Sequence, residues 1–271
     1  MRLETKKHLR ITKQSVTTIL YPVLFGVLVA VLWQTQVLHK MIGADTFTLP
    51  LPGRIFAIIS DNAPEIMLNV RATVIVALGG LVLGSLLGYL LAILATMFPK
   101  WGVGGLTVVS AFNAIPIIAI APILNNLTKD FSKDPNTRSM LAKMLVVMIM
   151  CTVSMSINAY RGFTELKPFS LDLMTSYAAS KTTVFFKLRV PNSIPYMFTA
   201  LRVSVPGSVI SALVSEYFAE YIIGVGRQIR ENIVLAQYAT AWAYITVACA
   251  IGIILYVVLL IVEGILLKGR R

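Results

Sequence analysis

A succession of apolar runs, each near or above about 18 residues, limits what this chain can fold into more than any other feature. One such run fits inside a soluble core, but five or six in 271 residues do not. Only 13% of the residues are charged, where a soluble domain carries about 25%. The runs fall at approximately 15–38, 69–98, 103–124, 139–158, 194–218 and 239–267. They predict an all-α polytopic membrane protein with about six transmembrane helices. The first run is too long, and lacks a small-residue cleavage site, to read as a removable signal peptide.

Charge orients the spans. With the amino terminus inside, the inner segments carry 14 basic residues against four acids, and the outer segments nine against eight. That excess predicts both termini in the cytoplasm. It also accounts for the net charge of +12 without nucleic acid. Residues 1–14 read as a basic tail lying on anionic lipid, and 15–271 as one membrane domain. Cys151 and Cys249 fall inside spans, and no Cys or His spacing outlines a metal site.

Several spans carry local signals. After the first, Pro50 and Pro52 precede Ile55, Ile58 and Ile59, whose helical spacing fits a helix flat on the outer surface, a lid, or a partner surface. Gly80, Gly84, Gly88 and Ala92 form one face of span two, where another backbone can approach. Pro116 and Pro122, with Asn113, predict a kinked or interrupted third span facing protein or a wet cavity. A lining of the pathway and simple kinked packing both fit. Residues 125–138 are polar and rich in turn formers.

The segment from Asp172 to Pro195, DLMTSYAASKTTVFFKLRVPNSIP, is long for a connector between spans. On one helix from about Asp172 to Leu188, the residues Leu173, Tyr177, Val184 and Leu188 share a face, flanked by Phe185, with Lys181 and Lys187 elsewhere. An apolar strip with a basic fringe suits the membrane surface or a partner's groove. Pro191 and Pro195 are expected to end this element and set the approach of span five.

The spacing resembles the cytoplasmic loop of ABC-importer permeases: Glu-Ala-Ala, three residues, Gly, nine residues, Ile, one residue, Leu-Pro. Asp172, Leu173 and Met174 take the first places, Ala178 the glycine place, and Leu188 to Pro191 the last four, with Pro191 the one identity. Leu49-Pro50-Leu51-Pro52, Ala114-Ile115-Pro116, Ala121-Pro122, Ala200-Leu201-Arg202 and Ser215-Glu216-Tyr217-Phe218 are similar to successive segments of the nitrate, sulfonate and taurine group of these permeases. The resemblance runs through nearly the whole chain in order. It implies the type I ABC importer permease fold, multi-pass in a bacterial cytoplasmic membrane. It implies a second permease copy, identical or paralogous, and a periplasmic or lipoprotein solute-binding protein. It also implies ABC ATP-binding subunits that receive the loop at about 160–193 through Asp172, Tyr177, Ala178, Lys181, Val184, Phe185, Leu188 and Pro191. The chain itself would bind no cofactor and catalyse nothing, with ATP and Mg held by the partner subunit. The absence of a G-x-x-x-x-G-K-[ST] loop agrees with that, since Lys181-Thr182 lacks the preceding glycines.

Polar residues within the spans are candidate pathway groups: Asn113, Asn158, Arg202, Ser204, Ser208, Ser211 and Glu216, with Ser154 and Ser156 beside them. Arg202 either snorkels, pairs with a carboxylate or meets solute. Glu216, near the outer end of span five, is expected at the interface or in a gate ion pair. Pro206-Gly207 reads as a bend, and Gly224 and Gly226 as an external turn. The substrate implied is a small anion of the nitrate, sulfonate or taurine type, or a heteroaromatic vitamin precursor. The alternatives are an ion-coupled secondary transporter, for which no mid-span acid or repeated half is visible, and a non-transporting membrane scaffold.

Overall fold

Apolar backbone in lipid must satisfy its own amides, and helices do so within one segment. In the computed structural model, which describes residues 13–128, 134–218 and 223–268, every regular element is helical. The basic residues Arg2, Lys6, Lys7, Arg10, Arg270 and Arg271 lie outside the described residues. Among the described residues, four helical stretches are long and apolar enough to cross a membrane: Ala63–Met97, Thr137–Thr164, Lys181–Tyr217 and Tyr238–Leu266. These contain helices α4 (Ala63–Met97), α7 (Pro135–Thr164), α10 (Val190–Tyr217) and α12 (Tyr238–Leu266).

α4 opens two turns before the expected span because Pro64 sits in its first turn, where its missing amide is no loss. The first span is delivered by α1 (Lys13–Gln34), whose apolar part, Leu20–Gln34, is shorter. Gln36, at φ 63°, breaks the chain into the short α2 (Val37–Ile42). α1 meets the bundle at its outer end, where Trp33 lies 5.6 Å from Trp242 and Gln34 accepts from Gly53 N at 2.9 Å.

The third span is interrupted, as its prolines predict. α5 (Pro99–Ala111) passes through a tight turn at Phe112–Ala114, and α6 (Ile117–Leu127) starts after Pro116, whose ψ of 127° is extended. The external segment forms α3 (Pro52–Asp61), which turns Ile55 inward against α12 rather than lying free on a surface.

Small residues hold the centre. A side chain at Gly88 would put its Cβ 2.5 Å from the Thr152 carbonyl oxygen, and Gly80 and Gly84 meet α7 just as closely. α4 and α7 thus pack backbone to backbone, the contact that small residues permit in lipid. α10 packs along α7 and also touches α4.

The loop between α7 and α10 departs from the single helix expected between Asp172 and Leu188. α8 (Ser170–Ser176) stops at Tyr177, and Ala178 adopts a left-handed φ of 48°. Ser180 then caps a new helix by accepting from Thr183 N at 3.2 Å. That helix, α9 (Lys181–Val184), runs through a wide π-turn at Phe185–Arg189 directly into α10. Pro191 and Pro195 therefore do not end the element. The Val190 amide reaches back five residues to Phe185 O, and the widened turn makes room ahead of Pro191.

Candidate functional site

A cavity of about 380 Å³ opens where the break of the third span faces α7 and α10. Its polar lining is Asn113 from the tight turn, Ser154 and Asn158 from α7, and Ser204 and Ser211 from α10. Met150, Ile157, Val203 and Ile210 supply apolar wall. Four of the seven sequence candidates, Asn113, Asn158, Ser204 and Ser211, thus meet at one place. The Asn158 amide donates to Ser154 O at 2.8 Å. Ser204 is 4% exposed and its hydroxyl has no partner among the described residues, which leaves it available to a solute. Among the described residues, no charged side chain lines this cavity.

The other three candidates lie elsewhere. The Ser208 hydroxyl is buried and donates to Val205 O at 2.7 Å, within its own helix. Arg202 makes a two-pronged contact with Glu263 of α12, Nε to Oε2 at 2.8 Å and Nη2 to Oε1 at 2.6 Å. Of the readings open for Arg202, carboxylate pairing is the one observed, and its partner sits on a span rather than in the cytoplasmic segment to which sequence assigned it.

Glu216 is neither at the interface nor in an ion pair within 4 Å. It is fully buried. Its Oε2 accepts from Gly226 N and Thr73 Oγ1, both at 2.9 Å. Thr73 Oγ1 in turn accepts from Val225 N at 3.0 Å, and Asn69 Oδ1 from Gly224 N at 2.9 Å. α4 and α10 thereby satisfy the otherwise orphaned first amides of α11 (Val225–Val234). Gly224, at φ 135°, is required there: a Cβ would lie 2.5 Å from Glu216 Cδ. Lys143, buried on α7, donates to Ile223 O at 3.3 Å, one residue before Gly224. Sequence reading missed Asn69, Thr73 and Lys143. The signal was present, since all three are polar groups on apolar helices.

The inner end is built differently. Arg189 Nη1 donates to Phe163 O at 2.8 Å, and Asn192 Nδ2 donates to Gly162 O at 2.7 Å and Glu165 O at 3.0 Å. The start of α10 thus caps the last turn of α7. Phe185 stacks on the buried Phe163, centroids 5.5 Å apart, with Tyr89 on the other side at 5.3 Å. It therefore faces its own chain, while Val184, Leu188 and Pro191 are half-buried. The exposed apolar residues on this loop include Phe169, Leu171, Leu173, Tyr177 and Phe186, at 81%, 42%, 60%, 78% and 63% exposure, with Asp172, Ala178 and Lys181 exposed among them. Phe169 and Phe186 were not anticipated.

The sequence profile described as "binding-protein-dependent transport system inner membrane component" matches residues 80–271. The chain is 27% identical over 253 residues to the formylaminopyrimidine transport permease protein ThiX of Halalkalibacterium halodurans, covering 93% of this chain and 96% of the relative. It is 23% identical over 199 residues to a probable ABC transporter permease protein of Haemophilus influenzae, covering 73% of this chain and 77% of the relative.

Proposed function

Since the chain belongs to the family of binding-protein-dependent inner membrane components, the permease subunits of ABC importers, we propose that it carries a small uncharged heteroaromatic solute of the thiamine-precursor type. The single observation behind this choice is the central cavity. Its donors and acceptors are hydroxyls and amides, and no cation lines it among the described residues. An anion taken from water into such a site would lose its hydration without a compensating charge. Arg202, the group on α10 that would suit an anion, is engaged by Glu263. The formylaminopyrimidine relative supports the same class.

The solute is delivered from outside by a binding protein and passes between two permease copies, with Asn113, Asn158, Ser204 and Ser211 along its path. ATP-binding subunits dock on the inner loop. The part of that loop available to them is the set of exposed side chains around Tyr177 and Phe186, with Asp172, Ala178 and Lys181 at its edge, rather than Phe185. ATP and Mg stay on those subunits, and both termini lie in the cytoplasm.

Reconstitution in liposomes with the ATP-binding subunits and binding protein tests the reading. ATP-dependent uptake of labelled formylaminopyrimidine, undiminished by excess taurine or nitrate, is expected. Uptake of taurine or nitrate instead would sink it.

A further inference from the structure

A second cavity, of about 330 Å³, opens at the outer end of the bundle, separate from the pathway lining. It lies between the α3–α4 junction, α11 and the start of α12. Glu65 and Glu231 enter its wall from different helices, the amide side chains of Gln228 and Asn232 join them, and Ile66 and Leu235 provide apolar surface. Tyr244 forms part of the wall; it is 2% exposed, and its hydroxyl accepts from Asn69 Nδ2 at 3.4 Å.

Its chemistry is opposite to that of an anion site. The Glu231 side chain is 39% exposed, and its Oε2 faces Arg227 Nε at 4.0 Å, within ion-pair distance. A carboxylate on a cavity wall has acceptor capacity beyond one such contact, and a donor entering the cavity can use it. The volume falls in the range of small-molecule pockets, which combine apolar walls with a few placed polar groups. Flat aromatic ligands with an amino edge match both parts. Carboxylates accept hydrogen bonds from the exocyclic amine of a 4-aminopyrimidine ring, as they do from cytosine N4, while the ring faces lie on Ile66 and Leu235.

We infer that this outer cavity is a binding subsite for an amino-substituted nitrogen heterocycle, with Glu65 and Glu231 accepting from its amine. The inference rests on the heteroaromatic reading of the substrate and adds a site to it. α11 links the two ends of that site's influence, because its first amides, at Val225 and Gly226, are held by Thr73 and Glu216. Solute seated against Glu231 therefore contacts the helix that closes the outer end.

Equilibrium binding of radiolabelled 4-aminopyrimidine to the assembled transporter in nanodiscs, without binding protein, tests it. Unsubstituted pyrimidine serves as the control ligand. Saturable binding of the amine alone is expected, weakened about tenfold by Glu65→Gln and by Glu231→Gln and abolished by Leu235→Trp, which fills the cavity. Thermal unfolding of each variant confirms that it is folded. Asn158→Leu, in the central cavity, is expected to leave this binding in place and abolish uptake. Binding that survives both glutamate changes but is lost in Asn158→Leu overturns the outer subsite and leaves the proposed substrate standing. No saturable 4-aminopyrimidine binding to the wild-type transporter also overturns the subsite, and formylaminopyrimidine uptake then decides the substrate independently.

Discussion

The two ends of the stretch Lys181–Tyr217 solve the same problem in opposite ways. At the outer end, Glu216, Thr73 and Asn69 take up the free amides of α11, and the carboxylate is fully buried. That end ties three helices together within one chain. At the inner end, Arg189 and Asn192 cap α7, yet Tyr177 and Phe186 remain 78% and 63% exposed on the loop beside them. That end has a satisfied backbone and an unsatisfied surface. The difference is the one expected if a partner subunit docks on the loop, as proposed above. Substitutions at the outer end should change the stability of the chain itself, and those at the inner end its association.

The largest effect should come from Gly224→Ala. The φ of 135° disfavours a side chain, and the new Cβ would meet Glu216 Cδ at 2.5 Å, a combined cost of about 3 kcal/mol or more. Unfolding of the purified chain in micelles measures it; an unchanged midpoint would mean that the outer knot is not rigid. Glu216→Leu should come next at about 2–4 kcal/mol, because Gly226 N and Thr73 Oγ1 lose a buried acceptor. Glu216→Gln keeps one carbonyl acceptor and should cost less. At the inner end, the double change of Tyr177 and Phe186 to Asp should move the unfolding midpoint by no more than about 0.5 kcal/mol, as exposed sites do. The same change should weaken capture of the ATP-binding subunit at least about tenfold. Equal loss of stability at both ends would erase the distinction drawn between them.

Ala178→Gly is a smaller and opposite effect. Ala178 holds φ at 48°, a conformation costing a residue with a Cβ about 1 kcal/mol, so glycine should raise stability by that order. A fall in the unfolding midpoint would show that the turn is held by something other than backbone preference. This position also shows what sequence could and could not reveal. The interval placing Ala178 at the family's glycine was legible, but a helix drawn through 172–188 hid the turn that explains the glycine. The π-turn at Phe185–Arg189 has the same consequence, since its extra residue rotates α10 relative to α9 and places Phe185 against Phe163. Local signals made the glycine face of α4 and the break at Pro116 legible, and the separately chosen Asn113, Asn158, Ser204 and Ser211 line one cavity. Long-range pairings were not, because Glu263 lies 61 residues beyond Arg202 and Thr73 lies 143 residues before Glu216. Nothing periodic in a single chain announces such partners.

The smallest expected effect concerns Glu165, an exposed carboxylate at the inner end of α7. Arg161 Nε donates to Glu165 Oε1 at 2.9 Å, and Tyr196 OH to Oε2 at 3.1 Å. These bonds, the one from Arg161 foremost, hold the Glu165 carboxyl below its ordinary value of 4.5. A carboxyl with a depressed folded pKa adds stability that is fully present above that ordinary value. The contribution fades as pH falls through the folded pKa. Full exposure makes it small and sensitive to salt. Unfolding midpoints of the wild type and Glu165→Gln should therefore differ slightly at about pH 7 and converge by about pH 3. Exposed ion pairs at the inner end would then tune a contact that Arg189 and Asn192 already secure through backbone carbonyls. A gap that persists unchanged into acid would assign the effect to the Tyr196 hydrogen bond, which glutamine alters at any pH, instead of to the charge on Glu165.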